Sequence, residues 1–569
     1  MAAAQNKLMT LVKHRWIPCC LIAIISFGNA GFLEADVKMP SVFGDHMVLQ
    51  QDVALPVWGT ADAGEKITVE VGTKKGSATA GADGKWMVKL DPLAAGTDPV
   101  TMTVAGKNTL KFTDVLVGEV WFCSGQSNMA FNLGSTDQAT ADLAKANDPR
   151  MRFFHVSGSP ELQPSSSFAC GRWELCTPGS AAGISGVAYF FGRELRGALN
   201  RPVGLMISAW GGTAIESWTP LAAIEGDPFF KSDIDRHAQM EADYPKLLAE
   251  FPAKQKEWHD AQVEWNKNGG DAYNAALKAW NESAAQAKAA GQPEPAGKPT
   301  PPAIPAPKPP PAPNGGVGSF GSLYNGVVAP VVPYAIKGVI WYQGEGNAGN
   351  PGKYAKMFPA LIKGWRTAWN EGDFSFLFVQ LPKFAPGAHW PEMREVQSQA
   401  LTLPATAMAS IIDIGDPNNI HPTHKSDVGK RLALAALHAA YGQDLVWSGP
   451  VYDSMKVEGN SIRLNFKQTG GGLIIGTAPW TAPNVAPLSN ATLAGFAIAG
   501  SDKKWFAADA KIDGETVLVS SDKVPQPVAV RYAWQNSPDC NLYNKEGLTA
   551  APFRTDDWPA AGEAPVPIK

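Results

Sequence analysis

Four short stretches of the 569-residue chain carry residues whose types suit acyl transfer. In "EVWFCSGQSNMAF" (Glu119–Phe131) an apolar run breaks into Gly125, Gln126, Ser127 and Asn128. A serine directly after a buried strand, at the start of a helix, offers its hydroxyl as a nucleophile beside its own amide, where the positive helix end stabilises an oxyanion. The same position suits a helix cap, and the stretch lacks the last glycine of a G-x-S-x-G elbow. In "SAWGGTAIESW", Gly211 and Gly212 follow the strand-like "GLMIS"; glycines there let an amide approach a ligand closely, or simply end a strand. "GVIWYQGEGNAG" runs out into Gln343, Gly344, Glu345, Gly346 and Asn347, and the Asn347 amide is either a further oxyanion donor or a turn former. In "IIDIGDPNNIHPTHKSDVGKRL", His421 precedes Pro422 and so sits on a loop, with Asp413 and Asp416 upstream as carboxylates able to steady a general base.

Two other chemistries use some of the same residues. His421, His424, Asp413 and Asp416 are nitrogen and oxygen donors close enough in sequence to suggest a metal site, although nothing in their spacing requires them to converge. A glycosidase needs two opposed carboxylates, and Glu119, Glu216, Glu345 and Glu395 are too many candidates to select a pair. Bulk properties narrow the field further. With 45% hydrophobic and 9% aromatic residues the chain is globular, and a net charge of -4 without a long basic run beyond the N-terminus gives a polyanion nothing to hold. Nucleic acid is not an expected partner.

These stretches need a scaffold that brings strand ends together. From Val115, apolar strands alternate with amphipathic helices ("VGEVWFCSG", "ISGVAYFFGRELRGALN", "RPVGLMISAWGG", "KMFPALIKGWRTAWN", "FSFLFVQL", "TAMASIIDIGD"), which predicts a parallel sheet covered on both faces with its site at the strand C-termini. Before it, residues 36–112 read as short strands separated by Gly, Asp and Lys turns, a small β-sandwich. The α/β region spans 113–445, and residues 446–569 return to a β-rich pattern. About 226–318 the alternation is interrupted by an Ala/Lys/Glu-rich helical stretch and "QPEPAGKPTPPAIPAPKPPPAPNGG", an insertion whose proline tract is expected as polyproline II or a flexible spacer. Residues 1–30 (Lys7, Lys13, Arg15, the apolar Trp16–Phe27, then Gly28, Asn29 and Ala30) have the order of a secretory signal peptide, so a secreted or periplasmic protein is expected, with no membrane association after cleavage. Cys123 reads as a core thiol, and Cys170 and Cys176 are close enough to bridge in an oxidising compartment.

Ser, Gly, Asn and His after successive strands follow the four blocks of the SGNH (GDSL-like) hydrolases. More closely, "VGEVWFCSGQSNM", "AWGGTAIESW", "SLYNGVVAPVVPYAIKGVIWYQGEGNA", "DIGDPNNIHP" followed by a lysine, and "NLYNKEGLTAAPFRTD" resemble the sialate O-acetylesterase family, over about residues 38–557 apart from the insertion. The resemblance implies a three-layer αβα hydrolase domain flanked by β-rich domains, and a serine esterase that removes O-acetyl groups from carbohydrate without a cofactor or metal. Its expected substrate is acetylated sialic acid, with acetylxylan or another hemicellulose as the alternative; a non-catalytic carbohydrate-binding protein is the reading from another class. Ser127 is then the nucleophile and His421 the base, with the Ser127 amide, Gly211 or Gly212 and Asn347 as the oxyanion hole. Substrate contacts are expected from Gln126, Gln343, Glu345 and Arg394. The D-x-x-H spacing of many relatives is broken here by Asn418, so the acid is expected at Asp416, alternatively Asp413, or is replaced by a Ser-His dyad.

Overall fold

One strand joins two architectures. The computed structural model describes residues 36–166, 170–289, 292–477, 486–487 and 491–558; the apolar N-terminal segment read as a signal peptide lies outside them. The chain begins with β1 (Val48–Gln50), β2 (Leu55–Thr60), β3 (Lys66–Val71), β4 (Lys74–Thr79), β5 (Lys85–Leu90) and β6 (Gly96–Ala105) before the long β7 (Thr109–Gly125). β2 pairs with β5, whereas β3 pairs with β4 and β6, and β6 pairs antiparallel with β7. Over Thr109–Asp114 the residues of β7 alternate between exposed and half-buried, and from Val115 onward all are buried. That change marks where the strand leaves a one-faced antiparallel sheet and enters a sheet covered on both sides.

β8 (Asp148–His155), β9 (Trp173–Cys176), β10 (Val203–Ala209), β11 (Gly338–Tyr342), β12 (Ser375–Val379) and β13 (Thr406–Ala409) complete the central sheet in the order β13-β12-β11-β7-β10-β8-β9. Its strands run parallel except β9, which is antiparallel to β8. After β10 the chain crosses to the other side of β7 and continues outward through β11 to β13. In open α/β sheets a ligand crevice forms at such a reversal, here at the C-terminal ends of β10, β7 and β11. Successive side chains of β7 anchor the two helical layers, as the pleat requires. Trp121 packs edge-on against Phe191 of the helix Gly186–Leu199, and Phe122 packs against Trp365 and Trp369 of the helix Pro351–Trp369. The helix Ser426–Ala439 lies against Gly186–Leu199.

The insertion differs from the expected spacer. Two helices, Lys231–Trp265 and Asp271–Ala289, are followed by the proline tract, which lies along them. The indole N–H groups of Trp258, Trp265 and Trp280 donate to the carbonyls of Pro307, Ile304 and Pro295 at 3.1, 2.8 and 3.0 Å. Proline lacks an amide donor but keeps its carbonyl, so a tract that forms no ladder of its own still accepts from a neighbouring helix. The described residues between 451 and 558 build antiparallel sheets, including the four-stranded Val451–Glu458, Ser461–Lys467, Thr516–Ser520 and Asp509–Asp513. Cys123, Cys170 and Cys176 are buried free thiols, and Cys170 and Cys176, close enough in sequence to bridge, are not bridged. No helix among the described residues is long and apolar enough to cross a membrane.

A buried carboxyl beside the helix Pro351–Trp369 offers a test of this packing. Glu371 accepts the Ile336 amide at 3.2 Å, and burial raises its pKa from the ordinary 4.5 to about 8. The fold therefore holds the proton that the unfolded chain loses, and stability falls as pH rises through that window. Glu371→Gln removes this slope. The melting temperature of the variant relative to the wild type should climb between pH 4.5 and pH 8, followed by thermal denaturation at each pH.

Candidate active site

Gly125 makes the turn that presents Ser127. Its φ of +139° is open to glycine, and a Cβ there would lie 2.1 Å from the Tyr342 carbonyl of the neighbouring strand. The Gln126 amide donates to that carbonyl at 3.0 Å, and Ser127 opens the short helix Ser127–Ala130. Gln126 Oε1 accepts the amides of Gly344 and Gly346 at 3.4 and 3.1 Å, which ties the loop after β11 to the serine turn. Ser127 is half-buried, and its Oγ lies 2.8 Å from Nε2 of His421. Residues 294 positions apart thus meet as a nucleophile and base should.

The loop after β13 carries the histidine, and its carboxylates have other partners. Asp416 Oδ1 accepts the amides of Asn418 and Asn419 at 2.8 and 3.2 Å, closing a turn. Asp413 forms a two-pronged pair with Arg431, both contacts 2.7 Å, and accepts from the Tyr543 hydroxyl at 3.3 Å. Neither acid expected from the sequence hydrogen-bonds His421. Short polar side chains shape the loop instead: Asn419 Oδ1 accepts the His421 amide at 2.9 Å. Asp416→Asn retains an oxygen for the turn, so its kcat/KM should stay within about threefold of wild type, against the roughly 10⁴-fold loss that follows neutralising a triad acid. Initial rates on 4-nitrophenyl acetate make that comparison.

Beneath the serine and histidine lies a buried polar network that the sequence reading missed. Asn128 is fully buried; its Nδ2 donates to Glu345 Oε1 at 2.5 Å and to the Ile420 carbonyl at 2.9 Å, and its Oδ1 accepts from Lys425 Nζ at 2.6 Å. The Lys425 ammonium also sits 5.0 Å from the ring centroid of Phe131 and 5.3 Å from that of Tyr342, where ring quadrupoles favour a cation. Burial lowers the pKa of Lys425 to about 7 against the pull of Glu345, and burial raises the Glu345 carboxyl. His421 is lowered from 6.5, first by burial and then by the nearby Lys425 charge. In sequence, Lys425 is a lone lysine before an amphipathic helix, a pattern shared by solvated lysines; Asn128, adjacent to the nucleophile, was the more readable of the two.

Donors surround Ser127 on its β10 side. A Cβ on Gly211 would touch Ser127 Cβ at 3.4 Å, and Gly212 has a φ of +73°. Among the described residues the amides of Ser127, Gly211 and Gly212 donate to no protein group. Asn347 Oδ1 accepts from the Ile215 amide and Gln343 Nε2 at 2.8 and 2.7 Å, and its Nδ2 donates to Glu216 Oε2 at 2.8 Å, leaving one Nδ2 hydrogen.

The expected substrate contacts are placed differently. Gln126, Gln343 and Glu345 are held by protein partners, and Gln343 donates to the Thr213 carbonyl at 3.3 Å. Arg394 is fully buried and has no carboxylate partner among the described residues. Its guanidinium donates to the carbonyls of Pro382, Ala533, Gln535 and Asn536, so it fastens the C-terminal β-rich portion to the loop after β12. A planar fork of donors suits converging carbonyls as well as it suits a sugar, which is why sequence alone misplaced it. The residues of the metal reading also separate: His424 Nδ1 lies 2.8 Å from Asp137 and its Nε2 3.1 Å from Asp427. Among the described residues no group of three or more His, Cys, Asp or Glu is arranged to hold a metal ion.

The comparisons with known proteins agree with this geometry. The family described as "Carbohydrate esterase, sialic acid-specific acetylesterase" matches residues 117–249 and 319–438, the two segments on either side of the proline tract. Sialate O-acetylesterase of Rattus norvegicus is 28% identical, with 95% of this chain and 98% of that protein covered. The Homo sapiens protein is 26% identical, covering 92% and 94%. The crystal structure of a carbohydrate acetylesterase from Xanthomonas citri is 34% identical with a TM-score of 0.71, covering 92% of this chain and all of that one. On the site and these relationships together, the chain is a carboxylic ester hydrolase and belongs with the carbohydrate acetylesterases, carrying a region similar to the sialic acid-specific acetylesterases.

Proposed function

We propose that the protein is an exported serine esterase that removes acetyl groups from carbohydrate hydroxyls through a Ser127–His421 dyad. The contact between Ser127 Oγ and His421 Nε2 at 2.8 Å carries this reading. Ser127 attacks the acetyl carbonyl while His421 takes its proton; collapse of the tetrahedral intermediate breaks the ester bond, and His421 returns the proton to the departing sugar oxygen. Water, deprotonated by the same nitrogen, then releases acetate from Ser127. The oxyanion is received by the Ser127 amide, by Gly211 or Gly212, and by the remaining Asn347 Nδ2–H.

In place of a carboxylate, Asn128 steadies the base. It grips the Ile420 carbonyl next to His421, and Lys425 in turn fixes the Asn128 amide. The Lys425 charge disfavours the imidazolium, which keeps His421 free to accept a proton near neutrality. The signal-like N-terminus supports export.

The test is acetate release from O-acetylated oligosaccharides, quantified enzymatically and accompanied by mass spectrometry of the sugar. One acetate per sugar lost without cleavage of glycosidic bonds is the expected result; an unchanged oligosaccharide overturns the reading. The pH profile of kcat/KM should rise with a midpoint below 6.5, because the base acts unprotonated and its pKa is lowered.

A further inference from the structure

The Asn347 amide stands at the inner end of a chain of charges that begins in the insertion. Its Oδ1 accepts from the Ile215 amide and from Gln343 Nε2, and one Nδ2–H goes to Glu216 Oε2 at 2.8 Å. Two donors on the oxygen rule out the flipped amide, so the second Nδ2–H has a single direction, set by the plane of the group. How firmly that hydrogen is aimed depends on how firmly the Glu216 carboxylate is held.

Glu216 lies on the short turn Ile215–Trp218, and its other oxygen, Oε1, is 3.1 Å from Lys353 Nζ. Lys353 stands in the first turn of the helix Pro351–Trp369, where Asn350 Oδ1 accepts its amide at 3.0 Å. The same ammonium reaches Asp233 Oδ1 at 2.9 Å. Asp233 belongs to the first turn of the insertion helix Lys231–Trp265 and takes a second cation, Arg236, at 2.5 Å. From Arg236 to Glu216, two cations and two carboxylates alternate. Exposed ion pairs contribute little, because solvent screens them. Here the side chains of Asp233, Lys353 and Glu216 are only 5, 22 and 19% exposed, so a broken link leaves a charge whose counterpart water replaces poorly.

We propose that Asp233 and Lys353 are positioning residues of the esterase, which through Glu216 hold the Asn347 amide as an oxyanion donor. The head of the insertion is then part of the support of the oxyanion hole. The proposal rests on the esterase reading and extends its oxyanion hole outward. Because the oxyanion exists only as the tetrahedral intermediate forms, a loosened Asn347 weakens the transition state and leaves binding of the ester unchanged.

The experiment measures kcat and KM on 4-nitrophenyl acetate for the wild type, Lys353→Met, Asp233→Asn and Asn347→Ala, and for each of the first two combined with Asn347→Ala. Lys353→Met should lower kcat about tenfold and Asp233→Asn about fivefold, each with KM within about twofold of wild type. Asn347→Ala should lose more than either. In the Asn347→Ala background both substitutions should cost less than about twofold, because the group they aim is gone. Lys353→Arg, which keeps a cation between the two carboxylates, should recover most of the loss. Losses that multiply in full with that of Asn347→Ala, losses carried by KM, or unchanged kcat in Lys353→Met would overturn the relay. Asp233→Asn keeps the shape of the side chain and an oxygen for Lys353, so it carries the same comparison if Lys353→Met does not fold. Failure of the esterase reading is visible separately, as absence of turnover by the wild type.

Discussion

Replacing Ser127 with alanine should abolish hydrolysis of 4-nitrophenyl acetate, with kcat/KM lowered by at least about 10⁴-fold, while the protein still folds. The size follows from the role. Without the oxygen no acetyl-enzyme forms, and the oxyanion donors and His421 can promote only direct attack by water. The structural cost is small because the lost partner is a single contact, the 2.8 Å bond to His421. Removing one such bond at a half-buried position costs about 1 kcal/mol, so the melting temperature should shift by only a few degrees. Turnover at the wild-type rate in a folded Ser127→Ala protein would eliminate Ser127 as nucleophile.

Lys425→Met should have the next largest effect, a fall in kcat/KM of about 10- to 100-fold, the range in which small misplacements of a reacting group act. Methionine retains the apolar stem between Phe131 and Tyr342 but removes the ammonium that holds Asn128 Oδ1 at 2.6 Å. Asn128 then loses the partner that fixes its Oδ1, and its hold on the Ile420 carbonyl beside His421 loosens. The charge effect separates this from simple loosening of the core. The groups facing this site are Lys425 on the histidine's own loop and Glu345 from the loop after β11.

With a pKa of about 7, Lys425 carries its proton in the range where His421 titrates, and its charge holds the His421 pKa down. Removing that charge raises the His421 pKa, so the acid limb of the kcat/KM profile should move to higher pH. An unmoved limb would contradict the charge role. Asn128→Asp is the companion variant: it still accepts from Lys425 but has no N–H for Ile420, so its loss should appear in kcat at every pH.

Much of this arrangement was readable because strand periodicity and strand-end residues report on the same sheet. The continuous apolar runs ending in Ser127, in Gly211 and in Asn347 identify neighbouring strands β7, β10 and β11 before any coordinates are known. Their order in the sheet is not the order in sequence, yet the reversal beside β7 brings all three ends together. His421 was legible from its proline neighbour and its position before an amphipathic helix.

The roles of the acids were not legible. Asp413 and Asp416 have the chemistry of triad acids, and only three-dimensional pairing with Arg431 and with turn amides reveals where their charge is used. Arg394 illustrates the same limit in reverse. Its charge predicts a cleft, whereas its fork is met by carbonyls of a segment about 140 residues away, a pairing that local spacing cannot encode. The lack of amide donors in the proline tract is legible in the sequence, but its docking depends on three tryptophans whose orientation belongs to the helices beneath.

The continuity of β7 has a mechanical consequence. Its first residues pair with β6 in the N-terminal sheet, and its last present the nucleophile between β10 and β11. A pull or a local opening at the N-terminal end is therefore transmitted along one covalent strand to the serine, through the irregularity at the junction where Asp114 takes a φ of +52°. Cutting the chain ahead of Thr109 would strip the near half of β7 of its partner strand and leave a sticky edge upstream of the nucleophile. The N-terminal region is a splint for the catalytic strand and not a detachable accessory.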